Sequence, residues 1–144
     1  MAGASHMNVA IDIAARTAWG EARGEGISGV QAILNVIANR ATHPGWWGHD
    51  IASVCTTPWQ FSCRNEDDPN LAKLKAVTDE DPIFRSALSL AGRMVAHTLP
   101  DITGGADSYY AIGSTKPRWA ANRKPLKVIG HHAFYRVGLT GNGA

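Results

Sequence analysis

The sequence predicts a mainly α domain with a small extended or hairpin element near its C-terminus. Three stretches carry apolar residues at helical spacing, and "LKVIGHHAFYRV" at residues 126–137 is rich in β-branched and aromatic residues. A chain of 144 residues with a hydrophobic fraction of 44% can form one compact core but not two ordinary domains. We therefore expect one α+β domain over residues 7–144, preceded at residues 1–6 by a cloning remnant.

The three helices are predicted within the first hundred residues. Residues 8–21 repeat apolar positions every three or four residues, and residues 28–42 do so most regularly, with Ser28 as the expected N-cap. Residues 81–99 carry the third pattern, and Pro82 near its start suits the first turn of a helix. Each segment therefore presents one apolar face, as a helix packed on a core does.

Long loops separate these elements. Residues 43–70 are loop-like, with short helical pieces expected around residues 51–54 and 70–77. An extended segment is expected at residues 108–111, and residues 114–125 form a second loop before the C-terminal strand or hairpin. Because loops of this length in a compact domain are usually functional, we expect them to line a cleft.

The charge balance restricts the classes of partner. The chain has 14 Lys and Arg against 12 Asp and Glu, which gives a formal net charge of +2 and a pI near 8.7. This mildly basic balance suits an anionic polymer such as a bacterial cell wall, and it lacks the basic clusters expected of a nucleic-acid binder. No apolar run of about 18 residues predicts membrane insertion. No signal peptide is visible, so we expect synthesis in a host cytoplasm.

The stretch "WGEARGEG" at residues 19–26 ends the first predicted helix with carboxylates on a glycine-rich turn. A helix C-terminus normally favours cations, so Glu21 and Glu25 are unexpected there. A carboxyl group beside an aromatic ring such as Trp19, in a partly desolvated cleft, keeps its proton more easily and can act as a general acid. The alternative is a solvated helix end, in which Arg16 and Arg23 neutralise the two acids.

Aromatic and amide side chains indicate a glycan-binding cleft. Sugar rings pack their C–H faces on aromatic planes, although large aromatic side chains also fill protein cores. The candidates for this cleft are Trp19, Trp46, Trp47, Trp59, Trp119, Gln60, Asn65, Tyr109, Tyr110 and Asn122.

Two cysteines lie close together in "CTTPWQFSC". A disulfide between Cys55 and Cys63 would brace this loop, and the intervening Pro58 favours a closed turn. The alternative is two buried free thiols. We expect the disulfide.

The histidines do not form a recognisable metal motif. His43, His49, His97, His131 and His132 lack an H-E-x-x-H pattern, and neighbours such as the last two would point to opposite faces of a strand. No G-x-S-x-G elbow indicates a serine nucleophile either. We therefore expect no metal and no cofactor.

Six motifs, in order, resemble the cell-wall hydrolase family that includes spore-cortex-lytic enzymes and several phage endolysins. They are "ARTAWGEARGEG", "GVQAILNVIANR", "VCTTPWQFSC", "GGADSYYA", "RWA" and "IGHHAFYR", and they span about residues 11–136. The resemblance implies a lysozyme-like, mainly α catalytic domain. It also implies cleavage of peptidoglycan glycan strands between N-acetylmuramic acid and N-acetylglucosamine.

The resemblance also implies roles for individual residues. Glu21 matches the general acid/base, and Glu25 matches the second acid of the same motif. His132 and Tyr135 match the C-terminal signature, and this pair either meets substrate or closes the sheet edge behind the cleft. The substrate-binding set expected from the cleft and the resemblance together is Trp19, Trp59, Gln60, Phe61, Ser62, Tyr109, Tyr110, Trp119, His132 and Tyr135.

Two mechanisms fit a dominant Glu21. The resemblance favours a lytic transglycosylase, in which the 6-hydroxyl of the sugar is the nucleophile. A hydrolytic muramidase needs a second acid, with Glu25 nearest and Asp101 and Asp107 more distant. A zinc amidase or peptidase and a non-catalytic wall-binding module are the other classes. We expect a monomer that acts on peptidoglycan and is released to the wall as an endolysin is.

Overall fold

The computed structural model describes residues 2–138, with side chains from residue 7 onward. The side chains of the predicted cloning remnant, residues 1–6, thus lie outside the described residues. In chain order the elements are α1 (Ala2–Ala22), α2 (Gly26–Thr42), α3 (Ile51–Thr56), α4 (Pro69–Ala76), α5 (Pro82–Val95), β1 (Ser108–Ala111), β2 (Lys127–Ile129) and β3 (His132–Tyr135). The prediction of a mainly α fold with a small C-terminal β-element is confirmed.

The helix ends differ from the predicted ends for local reasons. A single turn of 3-10 helix, Arg23–Glu25, joins α1 directly to α2, so α2 begins at Gly26 and Ser28 is not its N-cap. The Asp81 carboxylate accepts the Phe84 N–H and caps α5. That helix ends at Val95, four residues earlier than predicted.

The two short helices lie where the sequence indicated them. Asp50 caps α3 in a reciprocal capping box with Ser53, and Asp68 caps α4 ahead of Pro69. These N-caps stabilise the two helices although both are short. Together they carry the loop of residues 57–68 across the end of α1.

The core lies between the three long helices. Ala14 and Ala18 of α1 are fully buried, and their small side chains allow the helix axes to approach closely. Ile33 and Ile37 of α2 and Ala87 of α5 complete this interface. The regularly spaced apolar residues of α2 therefore pack on the core, as the sequence predicted. Within the described residues, no helix is both long enough and apolar enough to cross a membrane.

The three strands form an antiparallel sheet in the order β1-β3-β2. Side chains alternate between its faces. Tyr109 and Phe134 are partners on the inner face, which packs against the helical core. On the outer face, Tyr135 packs with Trp119, which lies on a 3-10 turn at Arg118–Ala120. The sheet thus carries Tyr109 towards the end of α1.

Candidate active site

A groove runs between the end of α1, the loop after α3 and strand β1. It holds a cavity of about 410 Å³ and a second one of about 350 Å³. Both are lined by Arg40, Trp59, Gln60 and Tyr109, so they are adjoining compartments of one groove. We call them the Glu21 compartment and the Trp119 compartment, after the residue that only one of them contains.

Glu21 lies on the last turn of α1 and lines the groove. The Tyr109 hydroxyl donates a hydrogen bond to its Oε1. The Cys63 backbone N–H donates to Oε2 at 3.1 Å, and the Ser62 hydroxyl donates to the same oxygen at 3.4 Å. Three donors from two distant segments therefore hold this carboxylate in one orientation.

Gly20 makes this arrangement possible. A Cβ at this position would lie 2.9 Å from the Sγ of Cys63 and 3.0 Å from a methyl carbon of Leu74. Such distances are too short for carbon atoms in contact. The glycine next to Glu21 is therefore needed for the loop to approach α1 and to present its N–H to the carboxylate.

Tyr109 is a neutral donor beneath Glu21. Burial raises the pKa of the Tyr109 hydroxyl well above its usual value, and the charge of Glu21 and the hydrogen bond to it raise it further. The ring of His132 packs edge-on against Tyr109, with 5.2 Å between the centroids. The hydroxyl therefore keeps its proton and donates it in a hydrogen bond to the Glu21 carboxylate.

His132 lines the Glu21 compartment and is only 7% exposed. Its Nδ1 is buried and has no hydrogen-bond partner among the described residues. Burial lowers the pKa of His132, against the opposing charges of Glu25 and Glu21. A histidine whose pKa is lowered by burial therefore lines the groove.

Arg40 is a buried cation that the sequence reasoning missed. Its Nε donates to the Asp107 carbonyl at 2.7 Å, and its guanidinium lies 5.3 Å from the centre of the Phe61 ring. Burial lowers the pKa of Arg40 below its ordinary value, but a guanidinium remains charged at neutral pH. The sequence did contain a signal that Arg40 is buried, because residue 40 lies on the same apolar face of α2 as Ile33 and Ile37.

Glu25 lies outside both compartments. Its carboxylate accepts hydrogen bonds from the backbone N–H of His131 at 3.1 Å and from its Nδ1 at 3.2 Å. Burial alone would raise the pKa of Glu25, but the hydrogen bonds and charge of His131 outweigh it and lower the pKa below 4.5. A Cβ on Gly130 would collide with this carboxylate. Glu25 thus fastens the β2–β3 turn to the start of α2.

The two more distant acids also have structural partners. Asp101 accepts from the Thr103 N–H at 2.8 Å and from its hydroxyl at 2.6 Å. Asp107 is fully buried and accepts from the N–H groups of Val137 and Gly138. Neither residue lines the groove.

The groove contains only part of the predicted aromatic set. Trp59 is 78% exposed and borders both compartments as well as a third cavity of about 480 Å³ outside them. It has a φ of +67°, a conformation that costs energy for a residue with a side chain. The other members that line the groove are Gln60, Ser62, Tyr109, Tyr110, Trp119 and His132, together with Trp46.

Three predicted substrate-binding residues are core residues instead. Trp19 is 7% exposed, and its Nε1 donates to Asp81 at 3.3 Å, so it faces away from the groove. Phe61 is fully packed in the helical core. Tyr135 packs against Tyr110 on the outer face of the sheet, which supports the structural alternative. In each case burial of a large apolar surface determined the position.

The predicted disulfide is also corrected. Cys55 and Cys63 are both free, buried thiols. The Cys63 thiol points towards the Thr17 carbonyl on α1, 3.7 Å away. Burial raises the pKa of Cys55 to about 11 and raises that of Cys63 further, so both remain protonated. In the part of the chain that the structure describes, no group of three or more His, Cys, Asp or Glu side chains could hold a metal ion.

A comparison with protein families finds the model described as Cell Wall Hydrolase over residues 24–135. The chain belongs to the cell wall hydrolase family. The resemblance and the expectation of an enzyme are thereby confirmed. The matched range begins at Gly24, three residues after Glu21.

This cell wall hydrolase has relatives of known name and known structure. It is 30% identical over 126 residues to a spore cortex-lytic enzyme of Halalkalibacterium halodurans, covering 86% of the chain and 34% of the relative. The chain thus spans about a third of that relative. It is similar to the catalytic domains of SleB from Bacillus cereus and of the germination-specific lytic transglycosylase SleB from Bacillus anthracis. Each likeness has a TM-score of 0.67 at 24% identity over 88% of the chain, with 89% and 93% of the two domains covered. These likenesses support the fold.

Proposed function

We propose that this cell wall hydrolase is a lytic transglycosylase that cleaves peptidoglycan glycan strands between N-acetylmuramic acid and N-acetylglucosamine. The observation that carries the proposal is that Glu21 is the one carboxylate among the described residues lining the groove. A hydrolytic route needs a second acid, whereas a transglycosylase takes its nucleophile from the substrate. The description of a similar domain as a lytic transglycosylase agrees with this.

Glu21 would act twice in one turnover. Protonated Glu21 donates its proton to the glycosidic oxygen while the bond from this oxygen to C1 of the muramic sugar breaks. The resulting carboxylate then takes the proton of the 6-hydroxyl of the same sugar, and this oxygen bonds to C1. The products are a free N-acetylglucosamine end and a 1,6-anhydro ring, and Glu21 ends protonated as it began.

The donors around Glu21 act between these two steps. The carboxylate that appears after the first proton transfer accepts from the Tyr109 hydroxyl and the Cys63 N–H. Hydrogen bonds to a charged acceptor in a site shielded from water are stronger than those to a neutral one. These donors therefore stabilise Glu21 most in its ionised form.

The walls of the groove suit a chain of sugars. The exposed ring of Trp59 and the half-buried ring of Trp119 line the Trp119 compartment and offer flat apolar faces. Gln60 and Ser62 offer hydrogen-bonding groups between them. The roles of these residues in substrate binding belong to the proposal.

The hydrolytic alternative would have to use Glu25. Because that carboxylate is engaged by His131 and lies outside the groove, it is poorly positioned to activate water at the same bond. The site of action that we propose is the bacterial cell wall, with the protein as a monomer. Release by a phage, as for an endolysin, stays a prediction, and the relative named above is a spore cortex-lytic enzyme.

The test is mass spectrometry of fragments released from purified peptidoglycan by the wild-type protein and by Glu21→Gln. We expect anhydro-muramyl ends from the wild type and at least a thousandfold lower yield from the variant, with an unchanged circular dichroism spectrum. Glu25→Gln is the matched control and should retain most activity. Reducing muramic ends would favour the muramidase, and near-normal turnover by Glu21→Gln would remove Glu21 from the mechanism.

A further inference from the structure

A strongly basic segment connects β1 to β2. Residues 114–127, which we call the basic crossover, contain five cations and no acidic residue: Lys116, Arg118, Arg123, Lys124 and Lys127. Outside it, the chain has nine Lys and Arg against twelve Asp and Glu. The nearly balanced total charge of the chain therefore conceals a local concentration of positive charge in this segment.

The basic crossover has a defined path across the sheet. Since the strand order is β1-β3-β2, the segment must pass over β3 to reach the far edge. Trp119 and Ala120 pack against Tyr135 and hold it to the outer face. Backbone hydrogen bonds also fix its end, among them the Leu126 N–H to the Phe134 carbonyl at 2.7 Å. The cations are therefore attached to an ordered backbone.

All five cations face solvent. Each side chain is exposed, and none forms an ion pair with another described side chain. Crossing three strands spaced about 4.8 Å apart spreads these charges over roughly 10 Å or more. An array of this kind fits an extended polyanion better than it fits a single small anion.

The basic crossover adjoins the groove. Trp119 belongs to the segment and lines the Trp119 compartment, and its ring centre lies 6.3 Å from that of Tyr110, which lines the Glu21 compartment. A glycan strand that lies in the groove would therefore bring whatever it carries close to these cations. This step rests on the proposed function.

We propose that the basic crossover binds an anionic phosphodiester polymer attached to the cell wall, beside the glycan strand that is cleaved. Evenly charged phosphodiester chains offer repeated acceptors to unpaired ammonium and guanidinium groups, and binding releases their counter-ions. The segment is a loop with one 3-10 turn, so it has no amphipathic helix of the kind that inserts into a lipid surface. Binding of the basic crossover to this polymer raises the local concentration of the enzyme on walls that carry the polymer.

The test compares two variants of equal charge. Lys116, Arg123, Lys124 and Lys127 are changed to Gln in the first; Arg118 is kept because it adjoins Trp119. The control changes four exposed cations elsewhere, which are Lys73 and Lys75 on α4 and Arg85 and Arg93 on α5. Each variant lowers the formal net charge by four, because four positive charges are removed.

Binding is measured by co-sedimentation with purified walls, before and after hydrofluoric acid removes phosphodiester polymers, and with soluble poly(glycerol phosphate). All proteins also carry Glu21→Gln, so the walls stay intact. We expect the crossover variant to bind intact walls and the soluble polymer at least roughly tenfold more weakly than its parent. The slope of the logarithm of its binding constant against the logarithm of the salt concentration should be less steep by about one unit for each lost contact. The control should bind like its parent, and stripped walls should abolish the difference.

Several results would overturn the proposal. An equal loss of wall binding in both variants would show that only the net charge matters. If the parent protein bound stripped walls as tightly as intact walls, the phosphodiester polymer would not be the partner. Tighter binding to anionic phospholipid vesicles or to duplex DNA than to the polymer would indicate a different partner. Turnover of soluble, polymer-free glycan strands by the active protein tests the proposed function separately. The four crossover substitutions should leave that turnover unchanged.

Discussion

Replacing Tyr109 with phenylalanine removes one hydroxyl from the floor of the groove and leaves the ring in place. The hydroxyl donates to Glu21 Oε1, while Oε2 keeps its bond from the Cys63 N–H at 3.1 Å. We therefore expect Tyr109→Phe to retain the fold but to lose a stabilising contact that is strongest when Glu21 is ionised.

The magnitude follows from the kind of bond. A hydrogen bond to a charged group is worth about 1.5–3 kcal/mol, and about 1.4 kcal/mol corresponds to a factor of ten in rate. Because the protonated form of Glu21 begins the reaction and the ionised form follows, most of this difference should appear in kcat. We expect kcat to fall roughly ten- to a hundredfold while KM changes less than about threefold.

The assay is the initial rate of release of anhydro-muramyl fragments, with thermal unfolding measured on the same samples. Tyr135→Phe is the matched control, because it removes a hydroxyl from another tyrosine of the sheet, on the face away from Glu21. A wild-type kcat for Tyr109→Phe would refute the stabilising role of this donor. A loss of equal size in both variants would indicate a general effect on the sheet.

Three further changes test other contacts. Glu25→Gln should weaken the attachment of the β2–β3 turn and lower the free energy of unfolding by about 1 kcal/mol or less, because His131 is 83% exposed. Urea denaturation measures this change. A thousandfold loss of activity in this variant would contradict a purely structural role for Glu25. Gly20→Ala should cost about 1–3 kcal/mol and reduce activity, because its Cβ meets a cysteine sulfur at 2.9 Å, whereas Gly92→Ala, with open space around it, should be neutral or slightly stabilising. Burial lowers the pKa of His132 below 6.5, so below that pH the unfolded chain binds a proton that the folded protein does not, and stability falls as the pH falls. In His132→Gln the urea midpoint should therefore change less between pH 7 and about 5 than it does in the wild type. Equal changes in the two proteins would show that this imidazole is not responsible.

The fold was largely predictable because its elements are local. The apolar spacing of residues 28–42 predicted α2 to within two residues at its start. The β-branched and aromatic content of residues 126–137 predicted the hairpin. Helix and strand periods depend on neighbours a few positions away, and these are visible in the sequence.

The role of each aromatic residue was less predictable. Trp19 adjoins the glutamates in sequence yet is buried, whereas Trp59 is exposed on the rim of the groove. Composition gives both the same tendency either to fill a core or to bind a sugar. Only the direction in which the backbone presents each ring separates the two cases, and that depends on the packing of whole helices and loops.

By itself the sequence determined the helical class of this protein, its family resemblance and the unusual carboxylates at the end of α1. The tertiary structure decided which groups surround Glu21, since Tyr109 is 88 positions away and Cys63 is 42 positions away. It also left the two cysteines unpaired and brought Glu25 to His131, 106 positions along the chain. Such contacts join segments whose separation in sequence carries no local signal, because they form only when the buried faces of helices and sheet have packed together.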